Sequence, residues 1–242
     1  VLSLCDTSDQ KKHLAWLAGH LSANPQVLNG TQAWTVFSSK ASTVKLSGKA
    51  ADFQVSKEQR ASFKAIKEAT VKHLLARCGR ACAYCRRPVG HYGYGWHIEH
   101  VKAKSADWRG TFDLANLVVG CVDCNYWKAA RVDRASGARA PSIISPAAAG
   151  FSYPDHFRFV QLCTESLAFA KYLIKGAAGK ATYDALRFDL IERCTAIDRL
   201  DAKSASLHER LSRVLTHAAD DPEQAALVAL LGKLRDHIYR AP

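Results

Sequence analysis

Apolar residues recur at helical spacing in two early stretches of the chain. Leu14, Leu17 and Leu21 share one face of a short helix that Ser8 or Asp9 would cap and Asn24-Pro25 would end. Phe63, Ile66, Thr70, Val71, Leu74 and Leu75 define a longer helix, opened by a capping box at Ser56-Lys57-Glu58-Gln59 and closed at Cys78-Gly79. Between them, Asn29 to Val55 is rich in Ser, Thr and Gly without a sustained period, so it reads as loop with short strands, with Trp34 and Phe37 packed inward. From Cys82 the pattern shortens. Pro88, Gly90, Gly93 and Gly95 break any helix, Trp96 to Val101 and Leu114 to Val119 read as strands, and a helix starts at Asp123 or Cys124. Asp133 to Gly150 is a connector rich in Ala, Gly, Ser and Pro. Beyond it helices are expected over Asp155 to Lys175, Tyr183 to Leu200, Ser206 to His217 and Pro222 to Tyr239. The pattern divides the chain into a helical and irregular region (1–77), a central finger (78–135) and a helical C-terminal region (136–242).

Composition narrows the class. At 242 residues the chain can bury a core of its own, so any metal site is a local staple rather than the sole source of stability. The net charge of +12 favours polyanionic partners, a solvated basic surface being the alternative. Half of that surplus lies between Arg77 and Arg139, where eleven Lys or Arg face five Asp or Glu. No apolar run reaches the roughly 20 residues of a membrane span, and no charged-then-apolar leader opens the chain. A cytoplasmic protein without a membrane partner is the simplest expectation.

Four of the eight cysteines form two Cys-x2-Cys pairs, Cys82 with Cys85 and Cys121 with Cys124. Pairs this close usually share a metal, and two such turns make a closed tetrahedral zinc site. Cys5, Cys78, Cys163 and Cys194 read as small buried hydrophobes, although Cys78 lies near enough to Cys82 to substitute as a ligand. Thirty-five residues, Arg86 to Gly120, separate the pairs, more than closing a knuckle requires. That insert carries Glu99, His100 and Asn116, with Asn125 just beyond it.

These residue types suit phosphodiester hydrolysis. Mg²⁺ or Mn²⁺ at a phosphate takes carboxylate or amide oxygen, which Glu99 and Asn125 offer, and a neutral imidazole such as His100 can take a proton from water. Strand alternation points Glu99 and His100 to opposite faces, so metal and water can be served separately, and the strand must end or twist there for both to reach one phosphate. His97 shares a face with Glu99, either touching the metal or packing behind it. Lys104 and Lys128 are candidate phosphate contacts, and Tyr94, Trp96, Tyr126 and Trp127 read as the small core of the finger.

Glu99-His100, Asn116 and Asn125 following a Cys-x2-Cys resemble the HNH nuclease motif in its zinc-containing form, a ββα-metal finger, over Cys82 to about Arg131. The resemblance implies that His100 is the general base, that Glu99 and Asn125 bind the catalytic metal, and that Asn116 holds the loop orienting the base. Asn125 stands where many members have His. A further likeness runs through Ile98 to Ser105, Ile144-Ser145-Pro146, Pro154 to Phe157 and Lys180 to Tyr183. In layout these segments are similar to the HNH subunit of Septu-type and retron-linked anti-phage systems, which implies a partner ATPase. The expected protein is thus mainly α, with a small ββα-metal HNH finger stapled by a four-cysteine zinc site. It would act as an endonuclease with nucleic acid, DNA foremost, as substrate. A zinc-dependent nucleic-acid-binding or interaction module without catalysis is the competing class; it explains the cysteines and the charge but not Glu99, His100, Asn116 and Asn125 together.

Overall fold

The computed structural model describes residues 1–22, 27–90, 93–135, 140–163 and 168–197. It divides into two compact units, Val1–Ser152 and Tyr153–Pro242. Helices predominate, and the described residues include three two-stranded antiparallel sheets.

In the first unit, helix α1 (Ser8–Gly19) starts one residue earlier than the pattern suggests, because the Thr7 side chain accepts from the Gln10 amide and caps it. It buries Leu14 and Leu17 and packs on α3 (Lys57–Arg77). The capping box at Ser56 and Gln59 is present, and α3 buries Phe63, Ile66, Thr70 and Leu74 along one stripe. Thr70 is tolerated there because its hydroxyl donates to the Ile66 carbonyl at 2.8 Å.

The stretch from Asn29 to Val55 corrects the loop expectation. Asn29 and Gln32 form a reciprocal capping box that starts α2 (Gly30–Ser38), which buries Ala33, Val36 and Phe37. Only after it come two short paired strands, β1 (Thr43–Val44) and β2 (Phe53–Gln54). The side-chain cap outweighs the weak helical preference of a Thr- and Gly-containing segment.

The central finger has β3 (Trp96–His100) antiparallel to β4 (Leu117–Cys121), in a register that sets Trp96 opposite Cys121 and His100 opposite Leu117. All five β4 residues are buried, with α3 packed on the strand. Leu114–Asn116, expected as strand, is a 3₁₀ turn capped by the Asp113 side chain. Helix α4 (Val122–Lys128) follows β4 without a loop and continues into a π-helical turn, Ala129–Asp133.

The second unit holds a larger correction. In place of the helix expected over Asp155 to Lys175, β5 (Phe157–Cys163) and β6 (Ala168–Ile174) form a hairpin. Phe159 and Tyr172 are cross-strand partners with stacked rings 4.5 Å apart, and Phe188 packs on Tyr172 at 4.6 Å. Such cross-strand aromatic pairs favour the extended form over the helix that the same apolar residues allow. The helix expected from Tyr183 is broken in two, α5 (Gly176–Ala185) and α6 (Phe188–Ile197). Arg187 between them has a φ of 55°, and its guanidinium holds Asp189 through two bonds of 2.9 and 3.0 Å. The helices expected over Ser206 to His217 and Pro222 to Tyr239 lie outside the described residues. No helix among the described residues is long and apolar enough to cross a membrane.

Two glycines make opposite predictions. A Cβ on Gly30 would lie 2.7 Å from both the Lys104 carbonyl oxygen and Thr111 Oγ1, whereas nothing lies within 4 Å of one on Gly19. Gly30→Ala should therefore lower stability by about 1–3 kcal/mol despite alanine's better helix propensity. Gly19→Ala should raise it by up to about 1 kcal/mol. Denaturant midpoints check the pair, and a Gly30→Ala chain as stable as the parent would contradict the close approach of α2.

Candidate functional site

The four cysteines of the two pairs converge. All are buried, and their sulfurs lie within 4.8 Å of one another, Cys85 and Cys121 at 3.7 Å. A tetrahedral ion with metal–sulfur bonds of about 2.3 Å requires sulfur edges of about 3.8 Å, so the donor set fits such an ion. The turns are built for this. Arg86, in the left-handed region with φ 61°, lets the first knuckle close, with the Arg86 amide donating to the Cys82 carbonyl at 3.0 Å. The Cys121 amide donates to Cys82 Sγ at 3.3 Å and the Cys124 amide to Cys121 Sγ at 3.5 Å. Thiol hydrogen bonds from Cys124, Cys82 and Cys85 hold Cys121 far below the ordinary thiol range. Cys78, the possible substitute ligand, lies outside the cluster, and its thiol donates to the Leu75 carbonyl at 3.5 Å.

Arg87, which is not among the residues that motif spacing points to, completes this centre. The residue is 7% exposed, and its guanidinium donates to Cys85 Sγ and Cys121 Sγ at 3.5 Å each and pairs with Asp123 at 2.6 Å. Tyr94 lies over it at 4.0 Å. Four thiolates around a divalent ion carry a net charge of −2, and a buried guanidinium offsets part of that. Its position two residues after Cys85 was the available signal.

Strand β3 points His97 and Glu99 toward α4. Asn125 meets His97, its amide nitrogen donating to His97 Nδ1 at 3.2 Å, while Glu99 meets Lys128 one helical turn further on. Glu99 is buried, which pushes its carboxyl above the ordinary range, and the Lys128 ammonium at 2.9 Å opposes that shift. The two residues expected to hold a catalytic ion thus share the β3–α4 interface without bonding each other. A carboxylate and a carboxamide are hard oxygen donors of the kind Mg²⁺ or Mn²⁺ takes.

Lys128 corrects an expectation. Rather than presenting its charge to a phosphate, it is 0% exposed and its ammonium binds Glu99 together with both Asp133 oxygens, at 2.8 and 2.9 Å. The π-helical turn brings Asp133, five residues on, back over Lys128. The aromatic residues also divide. Tyr126 is 65% and Tyr94 43% exposed, so neither belongs to a buried core.

On the other side of β3, His100 is almost fully buried. Its Nε2 bonds the Thr111 carbonyl at 2.9 Å and its Nδ1 faces Lys104 Nζ at 3.2 Å. A carbonyl can only accept, so Nε2 carries the proton and Nδ1 holds the lone pair. Burial first, then the Lys104 ammonium, push His100 down to about 3, so the ring is neutral at pH 7. Burial likewise lowers Lys104.

The Asn116 side-chain hydrogen bonds do not go to His100. The side chain instead closes the loop between the strands, accepting from the Lys102 amide at 2.8 Å and donating to the Lys102 and Gly110 carbonyls at 3.1 Å each. Gly110 is required there, since a Cβ would lie 2.8 Å from the Asn116 amide nitrogen. Thr111, whose carbonyl holds His100, is the next residue, so Asn116 fixes the backbone that fixes the imidazole.

With this geometry in view, the comparison with known families is specific. A family model described as HNH endonuclease matches residues 82–131, the segment that contains the cysteine cluster, Glu99, His100, Asn116 and Asn125. An HNH domain implies action on nucleic acid. Neither the curated proteins nor the solved structures searched give a match.

Arg87 yields the prediction for this centre. Arg87→Gln should weaken metal retention by the cysteine cluster about 10- to 100-fold, as loss of outer partners of metal ligands does. Chelator competition with a chromogenic metal indicator reads it, and unchanged retention would contradict the charge-offset role.

Proposed function

We propose that the chain is a metal-dependent endonuclease that hydrolyses phosphodiester bonds of nucleic acid, with DNA as the expected substrate. The observation that carries this reading is the geometry of His100, with Nε2–H on the Thr111 carbonyl and the Nδ1 lone pair turned to Lys104 as its remaining proton acceptor, in a segment matched by the HNH family model. His100 Nδ1 takes a proton from water as the water oxygen bonds to phosphorus, and the bond from phosphorus to the leaving sugar oxygen breaks. Lys104 leaves Nδ1 for the phosphate, exchanging a neutral acceptor for an anionic one. Glu99, once Lys128 leaves it, and Asn125 would hold Mg²⁺ or Mn²⁺, which would neutralise charge at the scissile phosphate and leaving oxygen. Cys82, Cys85, Cys121 and Cys124 hold structural zinc, and Asn116 orients the base through the Gly110–Thr111 backbone. The likeness to Septu-type and retron-linked subunits extends the proposal to a nuclease of an anti-phage complex working beside an ATPase; it rests on sequence layout.

One observation favours the competing reading of a non-catalytic zinc-dependent binding module: Glu99 is already satisfied by Lys128. Plasmid cleavage with Mg²⁺ or Mn²⁺ separates the two. His100→Ala should lower the rate by about 10²–10⁴, with zinc content unchanged at one ion per chain. Equal cleavage by both proteins would remove the catalytic assignment. Binding without cleavage by the parent chain would support the binding module.

A further inference from the structure

Helix α2 lies outside the segment that matches the HNH model, yet it forms one wall of the His100 site. Trp34 meets the imidazole edge to face, with ring centroids 4.6 Å apart and planes at 89°. The indole is braced from behind by Phe37 at 5.2 Å and Phe112 at 6.2 Å, and Phe37 packs in turn on Phe63 of α3 at 5.9 Å. Lys104 Nζ stands 6.0 Å from the Trp34 ring centroid. At the start of the same helix, Gly30 allows the backbone to approach the Lys104 carbonyl and the Thr111 hydroxyl, so α2 is seated on the loop that carries both His100 partners.

We propose that Trp34 is a positioning residue for the His100 base, supplied by α2 from outside the finger. With Lys104 gone from Nδ1, the ring is held only by its bond to Cβ and by the Nε2 hydrogen bond to Thr111, which leaves it free to tilt about the line through Cγ and Nε2 and swing Nδ1 out of aim. A perpendicular indole blocks that tilt, and aromatic pairs favour this edge-to-face arrangement. The contact matters most once Lys104 has left Nδ1, when Thr111 alone holds the ring by hydrogen bonding. Trp34 then keeps the Nδ1 lone pair aimed. This inference rests on the endonuclease reading for its kinetic consequence, but not for its structural one.

The test uses the full metal-loaded chain and three substitutions. Trp34→Ala and Trp34→Leu should both lower kcat about 10- to 100-fold at little change in KM, the scale on which a misaimed group costs rate. Trp34→Phe should recover most of the loss, whereas a merely space-filling role predicts that Leu and Phe rescue alike. Independently of turnover, ¹⁵N-edited spectra of the imidazoles should show His100 with Nε2 protonated in the parent and Phe chains, and with shifted or broadened ring signals in the Leu chain. A Leu chain with parental kcat and parental His100 ring signals would overturn the proposal. If His100→Ala cleaves like the parent, the nuclease reading falls and the ring signals alone decide the role of Trp34.

Discussion

The interaction on which the rest of the finger depends is the closure of Cys121 onto the first cysteine pair. Cys121 does three things at once. It ends β4, its sulfur lies 3.7 Å from Cys85 within the cluster, and the same sulfur caps α4 by accepting from the Cys124 amide. Strand, cluster and helix therefore share one residue, and the direction in which α4 leaves β4 is fixed by the geometry of the sulfurs. Without that constraint, a seven-residue helix such as α4 has too few internal bonds to persist alone.

From that joint the two faces of β3 acquire different characters. The face toward α4 holds Glu99, Lys128 and Asp133 in a buried charge network. Burying an ionised group is tolerated only when partners surround it, and here one ammonium serves two carboxylates. The opposite face holds His100, which burial keeps neutral, between the Asn116-pinned loop and the indole of α2. Strand alternation alone separates these environments by a single residue step, so a carboxylate paired with Lys128 and a neutral imidazole coexist at adjacent positions.

How much of this is legible in the sequence varies with the range of the interactions. The capping box at Ser56 and the stripe from Phe63 to Leu74 are local and readable, as are the paired Cys-x2-Cys turns. The nine-residue α2 escapes a sequence reading because its Asn29–Gln32 box sits among Ser, Thr and Gly, and a single cap decides its state. Phe157 to Ile174 reads as helix because its apolar residues satisfy helical and alternating spacing alike; the Phe159–Tyr172 pairing that selects the hairpin is visible only once the strands meet. At the candidate site, residue types and spacing name Glu99, His100, Asn116 and Asn125. They do not reveal that Lys128 turns inward, because a π-helical turn brings Asp133 to it, nor that Trp34 reaches His100 across more than sixty residues of chain.

The most direct measurement of whether this arrangement is a nuclease centre is an anomalous-difference map from crystals of the chain grown with Mn²⁺ and a short oligonucleotide. A manganese peak bonded to the Glu99 carboxylate and the Asn125 carboxamide oxygen, with Lys128 displaced from Glu99 and a phosphate between the ion and His100 Nδ1, is the expected result. A Glu99–Lys128 pair left intact, with no manganese at either residue while nucleic acid is bound, would contradict it.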